Sequence, residues 1–490
     1  MPTTTPPSDE LLNQLRELAG PRGVLESTAE IAPYLEDHRR LHRGRTPLVL
    51  RPDTTERVAA IVAACHEARC AIVPVGGNTS YCGGPTPDSS GAQIVLSLGR
   101  LNRIRSVDAQ DFRLIAEAGC TLRDVQLAAE AFDRLFPLSL GSEGTCQLGG
   151  NLSTNAGGTA VLRYGMARDL VLGLEVVLPD GRVLDQLTGL RKDNTGYELK
   201  HLFIGAEGTL GVITAASCKL YPRPATQETA FVAVRDPESA VTLLSRLRER
   251  TGDAVTTFEL VPRLALEMVL RHIERVADPL GGRHDWYALL EISTSRHDAA
   301  MRDLLMQELS DALGRGEVRD AALAESGAQR EMFWRLRETI PEAQRHEGAS
   351  IKHDVSVAPP RMPDFIRAGT ELALQLVPGA RVVAYGHLGD GNVHFNLSEP
   401  RGGDRTEFEA RAPDVQRAVH DLVARYGGSF SAEHGIGQLK VGELERYEAP
   451  VALEVMRTLK RALDPRGIMN PGKVLRIEAI DARESGDRRQ

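Results

Sequence analysis

The first half of the chain alternates short apolar segments with glycine-rich turns. Ala71–Val73 follows the helix-like segment Thr55–Ala68, so the pattern predicts a helix and then a short buried strand. Val171–Leu178 and Arg182–Leu184 flank Pro179-Asp180-Gly181, a composition typical of a hairpin turn. We therefore expect strands joined by tight turns, with few helices, in this half.

The pattern changes after Pro222-Arg223-Pro224. Ala230–Val234 and Trp286–Ile292 have the composition of strands, whereas Ser239–Leu247 and Arg302–Leu313 have the apolar spacing of helices. Strands that alternate with helices, with few glycines between them, indicate a separate α+β domain.

Near the C-terminus, Leu453, Met456, Leu459 and Leu463 share one face of a predicted helix that ends at Asp464-Pro465. We expect three units, and their boundaries are residues 1–223, 224–442 and 443–490.

Composition narrows the class of protein. The net charge of −8 disfavours binding to nucleic acid, and no apolar run reaches the length of a membrane span. The N-terminal residues lack the basic and apolar regions of a secretory signal, and the six cysteines contain no Cys-x-x-Cys pair. Reduced thiols and a cytoplasmic location are the expectation.

Glycines cluster in three blocks, Pro74–Gly84, Gly141–Gly158 and Gly196–Gly211. Glycine lets backbone amides turn tightly around a pyrophosphate, and the interleaved Ser, Thr and Asn add hydrogen-bond donors. The blocks match neither the dinucleotide fingerprint nor the P-loop. They indicate a nucleotide-like ligand, and the alternative is that they are only tight turns in a β-rich fold.

Histidines and a glutamate form a second pattern. His387 and His394 flank a Gly-Asp-Gly-Asn turn, and Glu433-His434 precedes two glycines. Two imidazoles and a carboxylate are the ligand set of a catalytic divalent metal, although hydrogen-bonded histidines are the commoner case. His434 is a candidate general base, and its alternatives are a metal ligand or a structural group. The pattern also predicts one helix over Phe333–His346 and a strand over Lys352–Val357. Considered by charge alone, Arg335, Arg337 and Lys352 of these segments are solvated surface residues.

Together these segments resemble a known family. Three segments, with Arg163-Tyr164-Gly165, are similar to the flavin domain of the vanillyl-alcohol-oxidase (PCMH) type: Pro74–Gly84, Gly141–Gly158 and Gly205–Thr214. Gly386–His394 and Ser431–Gly435 resemble the C-terminal cap of FAD-linked D-2-hydroxyacid dehydrogenases, nearest to the D-2-hydroxyglutarate and D-lactate dehydrogenases and the glycolate oxidase flavin subunit. The resemblance implies an α+β fold with two FAD-holding subdomains, a ferredoxin-like substrate cap and a helical segment that returns to the flavin.

The resemblance also implies site residues. The expected FAD contacts are Pro74, Gly76, Gly77, Asn78, Thr79, Ser80, Gly141, Ser142, Gly144, Thr145, Gly149, Asn151, Asn155, Gly158, Gly208, Ile213 and Asn470. The expected metal ligands are His387, His394 and Glu433, with zinc preferred and manganese or iron compatible. His434 becomes the catalytic base, and the holders of the substrate carboxylate become Arg337, Lys352 and Asn396.

Two departures from the family pattern matter. Covalently flavinylated members carry a histidine in the first loop, where this chain has Asn78 and Thr79, so non-covalent FAD is expected. Hydroxyglutarate-specific relatives carry a threonine four residues after the arginine that matches Arg337, where this chain has Pro341. The contact to a distal carboxylate is therefore open.

The expected activity is FAD- and metal-dependent oxidation of a small D-2-hydroxy acid, of the D-2-hydroxyglutarate, D-malate or D-lactate type, to the 2-oxo acid with hydride transfer to flavin N5. Electron-transfer flavoprotein or a quinone is the expected acceptor, and a homodimer is possible. Two alternatives are a metal-dependent hydrolase without flavin and a non-catalytic flavin subunit of a larger complex.

Overall fold

The computed structural model describes residues 4–476. The first part is a four-stranded sheet of order β1-β2-β4-β3, in which β2, β4 and β3 are parallel. Its elements are the strands β1 (Val24–Leu25), β2 (Val49–Leu50), β3 (Ala71–Val75) and β4 (Gln93–Ser97) and the helices α1 (Asp9–Ala19), α2 (Thr28–Ile31) and α3 (Thr55–Ala68).

Helix α3 shows why these residues fold in this way. Val58, Ile61, Val62 and Cys65 recur at helical spacing and are fully buried against this sheet. The side chain of Thr54 accepts a hydrogen bond from the first turn and starts the helix.

The second part is a five-stranded antiparallel sheet of order β5-β6-β10-β8-β9, with a two-stranded ribbon of β7 and β11 beside it. Its strands are β5 (Ile104–Asp108), β6 (Arg113–Glu117), β7 (Arg134–Leu135), β8 (Val171–Val177), β9 (Val183–Gln186), β10 (Val212–Lys219) and β11 (Tyr221–Pro222). Its helices are α4 (Leu122–Glu130), α5 (Leu148–Ser153), α6 (Val161–Tyr164) and α7 (Lys200–Phe203). The predicted hairpin of β8 and β9 is confirmed.

The third part, the cap, is an eight-stranded antiparallel sheet of order β15-β12-β14-β13-β18-β19-β16, with β17 also paired to β19. Its strands are β12 (Thr226–Val234), β13 (Val255–Pro262), β14 (Trp286–Thr294), β15 (Val318–Leu323), β16 (Ser350–Ile351), β17 (Asp354–Ser356), β18 (Arg381–His387) and β19 (Asn392–Ser398). Its helices are α8 (Pro237–Thr251), α9 (Arg263–His272), α10 (Ala300–Gly314), α11 (Gly327–Glu338), α12 (Ile340–His346), α13 (Met362–Leu376), α14 (Arg405–Ala410) and α15 (Ala412–Arg425). Apolar clusters cover both faces of the sheet.

The chain then returns to the first sheet. After α16 (Val441–Tyr447) and α17 (Pro450–Leu463), the amide of Ile72 donates to the carbonyl of Ile468 and the amide of Asn470 donates to the carbonyl of Ile72, both at 2.8 Å. This segment therefore lies along the free edge of β3, beside the first glycine-rich loop.

The α+β class predicted from the sequence is confirmed. The three predicted boundaries stay predictions, and residues 477–490 of the last unit lie outside the described residues. Among residues 4–476, no helix is both long enough and apolar enough to cross a membrane.

Two local predictions differ from the structure. The stretch Phe333–His346 was expected to be one helix, but it divides at Thr339 into α11 and α12. Pro341 lies in the first turn of α12, where its missing N–H costs nothing, whereas within a continuous helix its ring would clash with the preceding turn. The expected strand Lys352–Val357 is shorter in the structure, where β17 spans Asp354–Ser356 and where Lys352 and His353 lie between β16 and β17.

Lys460 of α17 fastens the return segment. Its buried Nζ donates to the carbonyls of Thr209 and Met469 at 2.7 and 2.8 Å and pairs with Asp464. We predict that Lys460→Met lowers the free energy of unfolding by roughly 3–5 kcal/mol, because a buried carboxylate and two carbonyls lose their partner. Urea denaturation checks this, with the exposed Arg461→Met on the same helix as the control. Equal losses in both variants would contradict it.

Candidate active site

Two histidines and a glutamate converge at one edge of the cap. His387 ends β18 and His394 lies in β19, and their ring centroids are 5.8 Å apart. Glu433 follows α15, and its Oε1 lies 3.8 Å from Nε2 of His394. One ligand atom of each residue lies within 4.8 Å of the others. Ligands of a tetrahedral zinc ion lie about 3.4 Å apart, so small side-chain movements would fit this set to a divalent cation.

The ring of His387 is fixed by Glu259, its register partner on β13. Glu259 is fully buried, and it binds Nδ1 of His387 and, at 2.7 Å, Nε of Arg337. Burial opposes the charge of His387, but Glu259 outweighs it and raises the His387 pKa to about 9. Burial also opposes the charge of Glu259, but Arg337 and His387 lower its pKa to about 2. At neutral pH both ring nitrogens of His387 therefore carry a proton, and a cation that binds Nε2 displaces one of them, while Nδ1–H stays on the carboxylate as in carboxylate–histidine–metal sites.

The carboxyl group of Glu433 is in a different electrostatic position. Burial, followed by the negative charge of Asp354, raises the Glu433 pKa to about 8. Arg337 pairs with Glu259, whereas neither Glu433 nor Asp354 has an arginine partner among residues 4–476. A bound cation would favour the charged form of Glu433. The electrostatics therefore fit a cation in this place.

Asp354 on β17 organises the loop that carries Glu433 and His434. Its Oδ2 accepts both backbone amides at 3.0 Å and lies 3.3 Å from Nδ1 of His434, while its Oδ1 accepts from Asn392 at 2.8 Å. Burial lowers the His434 pKa despite the opposing charge of Asp354. A neutral imidazole with Nδ1 oriented by a carboxylate can accept a proton at Nε2.

Asp354, Glu433 and His434 form a second group whose ligand atoms lie within 4.8 Å of one another. Nε2 of His434 lies 3.6 Å from Oε1 of Glu433. The geometry therefore also allows His434 as a metal ligand, and its role as the base stays a prediction.

The first glycine-rich loop, Pro74–Gly84, contacts this site directly. Tyr81, in the first glycine-rich block, packs against His434 with ring centroids 4.6 Å apart and ring planes tilted by 48°, and His38 packs edge-on against Tyr81 at 5.4 Å. The thiol of Cys82 donates to the carbonyl of Gly435 at 3.4 Å. The segment that carries His434 and the first glycine-rich loop are thus in direct contact.

The candidate carboxylate holders differ in their surroundings. Arg337 is buried, its guanidinium lies over the ring of Tyr385 at 4.7 Å, and the bond to Glu259 uses only Nε. Burial lowers the Lys352 pKa, and the charges of Arg39 and Arg345 lower it further. The charge of Arg337 acts on Glu433, and that of Lys352 acts on His434. The assignment of Arg337 and Lys352 to the substrate stays a prediction.

Asn396 has internal partners. Its Nδ2 donates to Gln344 at 2.9 Å, and its Oδ1 accepts from the amide of His353 at 3.3 Å. It shares a strand face with His394, but its polar atoms hold the cap together. Pro341 begins α12 and brings no hydroxyl to this region.

The glycines of the FAD-type blocks fall into two groups. A Cβ at Gly77 would lie 2.1 Å from the carbonyl of Thr145, and one at Gly158 would lie 1.9 Å from that of Ser139, so these positions are required for packing. A Cβ at Gly141 or Gly144 would meet no atom within 4 Å. These two glycines border open space that a ligand could fill.

Three of the expected FAD residues are asparagines, and they differ in whether their side chains have protein partners. Asn78, at φ +53°, donates to the carbonyls of Pro33 and Glu36 at 3.0 Å. Asn151 Nδ2 and Asn470 Oδ1 are buried without a partner among the described residues. Such atoms are costly unless a ligand or water satisfies them, so they fit contacts to a bound cofactor.

The other expected FAD residues lie as follows. Ser80 accepts from the amide of Cys82, and Asn155 accepts from that of Arg168. The positions of the rest are in β3 (Pro74), in the first loop (Gly76, Thr79), in the second block (Ser142, Thr145, Gly149), opposite Pro74 (Gly208) and in β10 (Ile213). Their contacts to FAD stay predictions.

Glu259 and Tyr81 had no predicted role. Glu259 is a lone acid in an otherwise uncharged strand, Val255–Pro262, and that isolation is the signal for it. Tyr81 has no such signal, because its partner is 353 residues away.

Comparison with known proteins agrees with this geometry. Residues 46–186 match the family described as FAD binding domain, and residues 223–474 match the FAD linked oxidases, C-terminal domain. The chain is 36% identical to mitochondrial D-2-hydroxyglutarate dehydrogenase of Arabidopsis thaliana, over 95% of this chain and 81% of that protein. It is 40% identical to the Bos taurus protein of the same name, over 94% and 82%. It is 34% identical to D-2-hydroxyglutarate–pyruvate transhydrogenase of Saccharomyces cerevisiae, over 95% and 94%.

Solved structures share the fold. p-Cresol methylhydroxylase with bound substrate has a TM-score of 0.74 at 18% identity, covering 95% of this chain and 97% of that one. Alkyldihydroxyacetonephosphate synthase has a TM-score of 0.71 at 18% identity, covering 96% and 86%.

The expectation of a cytoplasmic location is wrong. The Arabidopsis thaliana, Bos taurus and Rattus norvegicus relatives are named as mitochondrial proteins. Cysteine usage misled the prediction, because reduced thiols are not confined to the cytosol.

The two groups of glycines give a testable contrast. We predict that Gly77→Ala lowers the free energy of unfolding by roughly 1–3 kcal/mol, because the added methyl group overlaps a backbone carbonyl. Gly144→Ala should leave it unchanged or slightly raise it, because the methyl group meets open space. Urea denaturation without added FAD compares them, and equal destabilisation would show that Gly144 is packed as tightly as Gly77.

Proposed function

The chain belongs to the FAD-linked D-2-hydroxyacid dehydrogenase family, and on that premise we propose that its substrate is oxidised between the first glycine-rich loop and the histidine cluster of the cap. The observation that carries this proposal is the 4.6 Å contact of Tyr81 with His434. It joins the FAD-type loop to the residue best placed to take a proton. Family membership removes the support for a hydrolase without flavin and for a non-catalytic subunit.

His434 is the proposed base. Asp354 holds its Nδ1, so Nε2 takes the proton of the substrate hydroxyl. FAD, when bound, supplies the acceptor for the hydride that leaves the substrate Cα. Tyr81 keeps the imidazole ring against the first loop, which aligns the two events.

A divalent cation is the second part of the proposal. Its ligands are His387, His394 and Glu433, and the support is their donor set, their closeness and the raised pKa of Glu433. When bound, such a cation lowers the pKa of an alcohol next to it. Zinc suits two imidazoles and a carboxylate best, with manganese and iron as alternatives.

Arg337 and Lys352 are the proposed holders of the substrate carboxylates. Arg337 keeps two amino groups beyond its bond to Glu259, which suits a bidentate contact. The charges of Arg39 and Arg345 act on Lys352, and none of the three forms a salt bridge with residues 4–476. This excess of positive charge favours a dicarboxylate, and it replaces the threonine that is absent at Pro341.

Anaerobic bleaching of the bound flavin by a panel of 2-hydroxy acids tests the function. We expect D-2-hydroxyglutarate and D-malate to bleach the flavin at lower concentrations than D-lactate does, and the L-enantiomers to have little effect. A flavin that no D-2-hydroxy acid bleaches would refute the proposal. Bleaching by D-lactate alone would refute the preference for dicarboxylates.

The electron acceptor is proposed to be electron-transfer flavoprotein or a quinone. The name of the Saccharomyces cerevisiae relative adds a 2-oxo acid, pyruvate, as a second candidate. Reoxidation of the substrate-reduced flavin by each acceptor in turn separates them. A homodimer stays a prediction.

We predict that His434→Ala lowers the rate of flavin reduction roughly 100- to 10,000-fold, because Nε2 no longer accepts the hydroxyl proton. FAD content should stay full, since the variant removes a group from the cap only. Anaerobic stopped-flow absorbance measures the rate, with Arg335→Ala on α11 as the control. Reduction of the His434 variant at the parent rate would contradict the assignment.

We predict that a chelator removes turnover while the visible flavin absorbance stays. Added Zn²⁺ should restore turnover in the parent chain, and His394→Ala should not be restored, because one ligand is missing. Elemental analysis gives the metal content beside each rate. Full turnover by metal-free protein would show that the cluster serves another purpose.

A further inference from the structure

The carboxylate of Glu207 connects the flavin-binding part, the first two sheets with their helices and loops (residues 9–222), to the loop that follows α15 of the cap. It accepts the backbone amide of Ile436 at 2.7 Å and that of Gly437 at 2.8 Å. Glu207 lies in the third glycine-rich block and is 8% exposed, whereas its two partners follow His434 by two and three residues. One buried side chain thus holds the end of the loop that carries the proposed base.

The glycines of that loop are fitted to this contact. Gly435 has φ +74°, and a Cβ there would lie 2.8 Å from Oε1 of Glu207. Gly437 has φ +53°, and a Cβ there would lie 2.1 Å from the carbonyl of Cys82. That carbonyl also accepts the amide of Gln438 at 3.0 Å. The loop therefore packs closely against the flavin-binding part at Gly435, Gly437 and Gln438.

A third segment meets at the same point. Asn470 of the return segment donates from Nδ2 to the carbonyls of Glu207 and Gly84, at 2.8 and 3.2 Å. Glu207 therefore contacts the base-bearing loop through its side chain and the return segment through its backbone.

Burial of the Glu207 carboxylate costs free energy and does not by itself stabilise the fold. Burial raises the Glu207 pKa, and the two amides and the more distant Lys440 only partly oppose that effect. Glu207 forms no salt bridge among the described residues. A buried carboxylate without an ion pair costs free energy that a neutral side chain would avoid. What the carboxylate provides is two strong acceptors aimed at adjacent amides.

We propose that Glu207 is a positioning residue that fixes His434 relative to the flavin-binding part, so that proton and hydride leave the substrate in one alignment. This inference rests on the proposed role of His434. It extends that role by giving the flavin-binding part control over the position of the base, which otherwise belongs to the cap.

The test compares Glu207→Gln with Glu175→Gln in FAD-loaded protein. Glu175 is a buried carboxylate of the same part of the chain, but it pairs with Arg105 away from the loop. We expect Glu207→Gln to lower the limiting rate of flavin reduction roughly 10- to 100-fold, because a small misplacement of the base is costly. The substrate concentration for half-saturation and the FAD content should change little. Glu175→Gln should lower thermal stability and leave the rate unchanged.

Amide hydrogen exchange gives a readout without substrate. Exchange in residues 431–440 should become faster in Glu207→Gln and stay unchanged in Glu175→Gln. A parent-like reduction rate or parent-like exchange in Glu207→Gln would overturn the inference, and so would loss of FAD, which would assign Glu207 to cofactor binding. If Glu207→Gln does not fold, Gly435→Ala displaces the same loop and must reproduce the slow reduction with FAD retained.

The two proposals fail in different ways. A parent chain that no D-2-hydroxy acid reduces refutes the proposed function, whereas the exchange measurement still decides whether Glu207 holds the loop. A parent chain that is reduced, with a Glu207→Gln variant that behaves identically, refutes only the positioning role.

Discussion

The buried carboxylate of Asp354 joins the histidine strands of the cap to the loop that bears Glu433 and His434. It accepts the backbone amides of both loop residues and the side chain of Asn392, and it lies across the ladder from His394. These bonds set the position of the loop relative to the sheet. The proposed cation ligands and the proposed base depend on this one acceptor, because each belongs to one of the two segments that it connects.

Three buried acidic side chains each position a different element of the proposed active site. Glu259 fixes the ring of His387, Asp354 fixes the loop, and Glu207 ties that loop to the flavin-binding part. Each acid replaces bulk water by a few oriented donors, and this holds side chains more rigidly than apolar packing does. Buried charges cost free energy, and proteins typically accept that cost at functional sites. The apolar clusters on both faces of the cap sheet supply the stability that offsets it.

The sequence was sufficient for the local part of this arrangement. Gly-Asp-Gly-Asn between two apolar segments predicts the hairpin that brings His387 near His394, and adjacent Glu433 and His434 need no long-range information. The partners of these residues were out of reach, because Glu259 is 128 residues before His387 and is paired with it only by the order of strands in the sheet. Pro341 shows the same limit at short range, since its effect on the helix depends on where a first turn begins.

We propose that the cation site and the flavin act on the same substrate molecule. Anomalous X-ray diffraction at the zinc edge, from crystals of the FAD complex with a D-2-hydroxy acid, tests it most directly. We expect one anomalous peak bounded by His387, His394 and Glu433, with the substrate between that peak and the flavin ring and its hydroxyl towards His434. A peak elsewhere, or a flavin ring turned away from these residues, would contradict it.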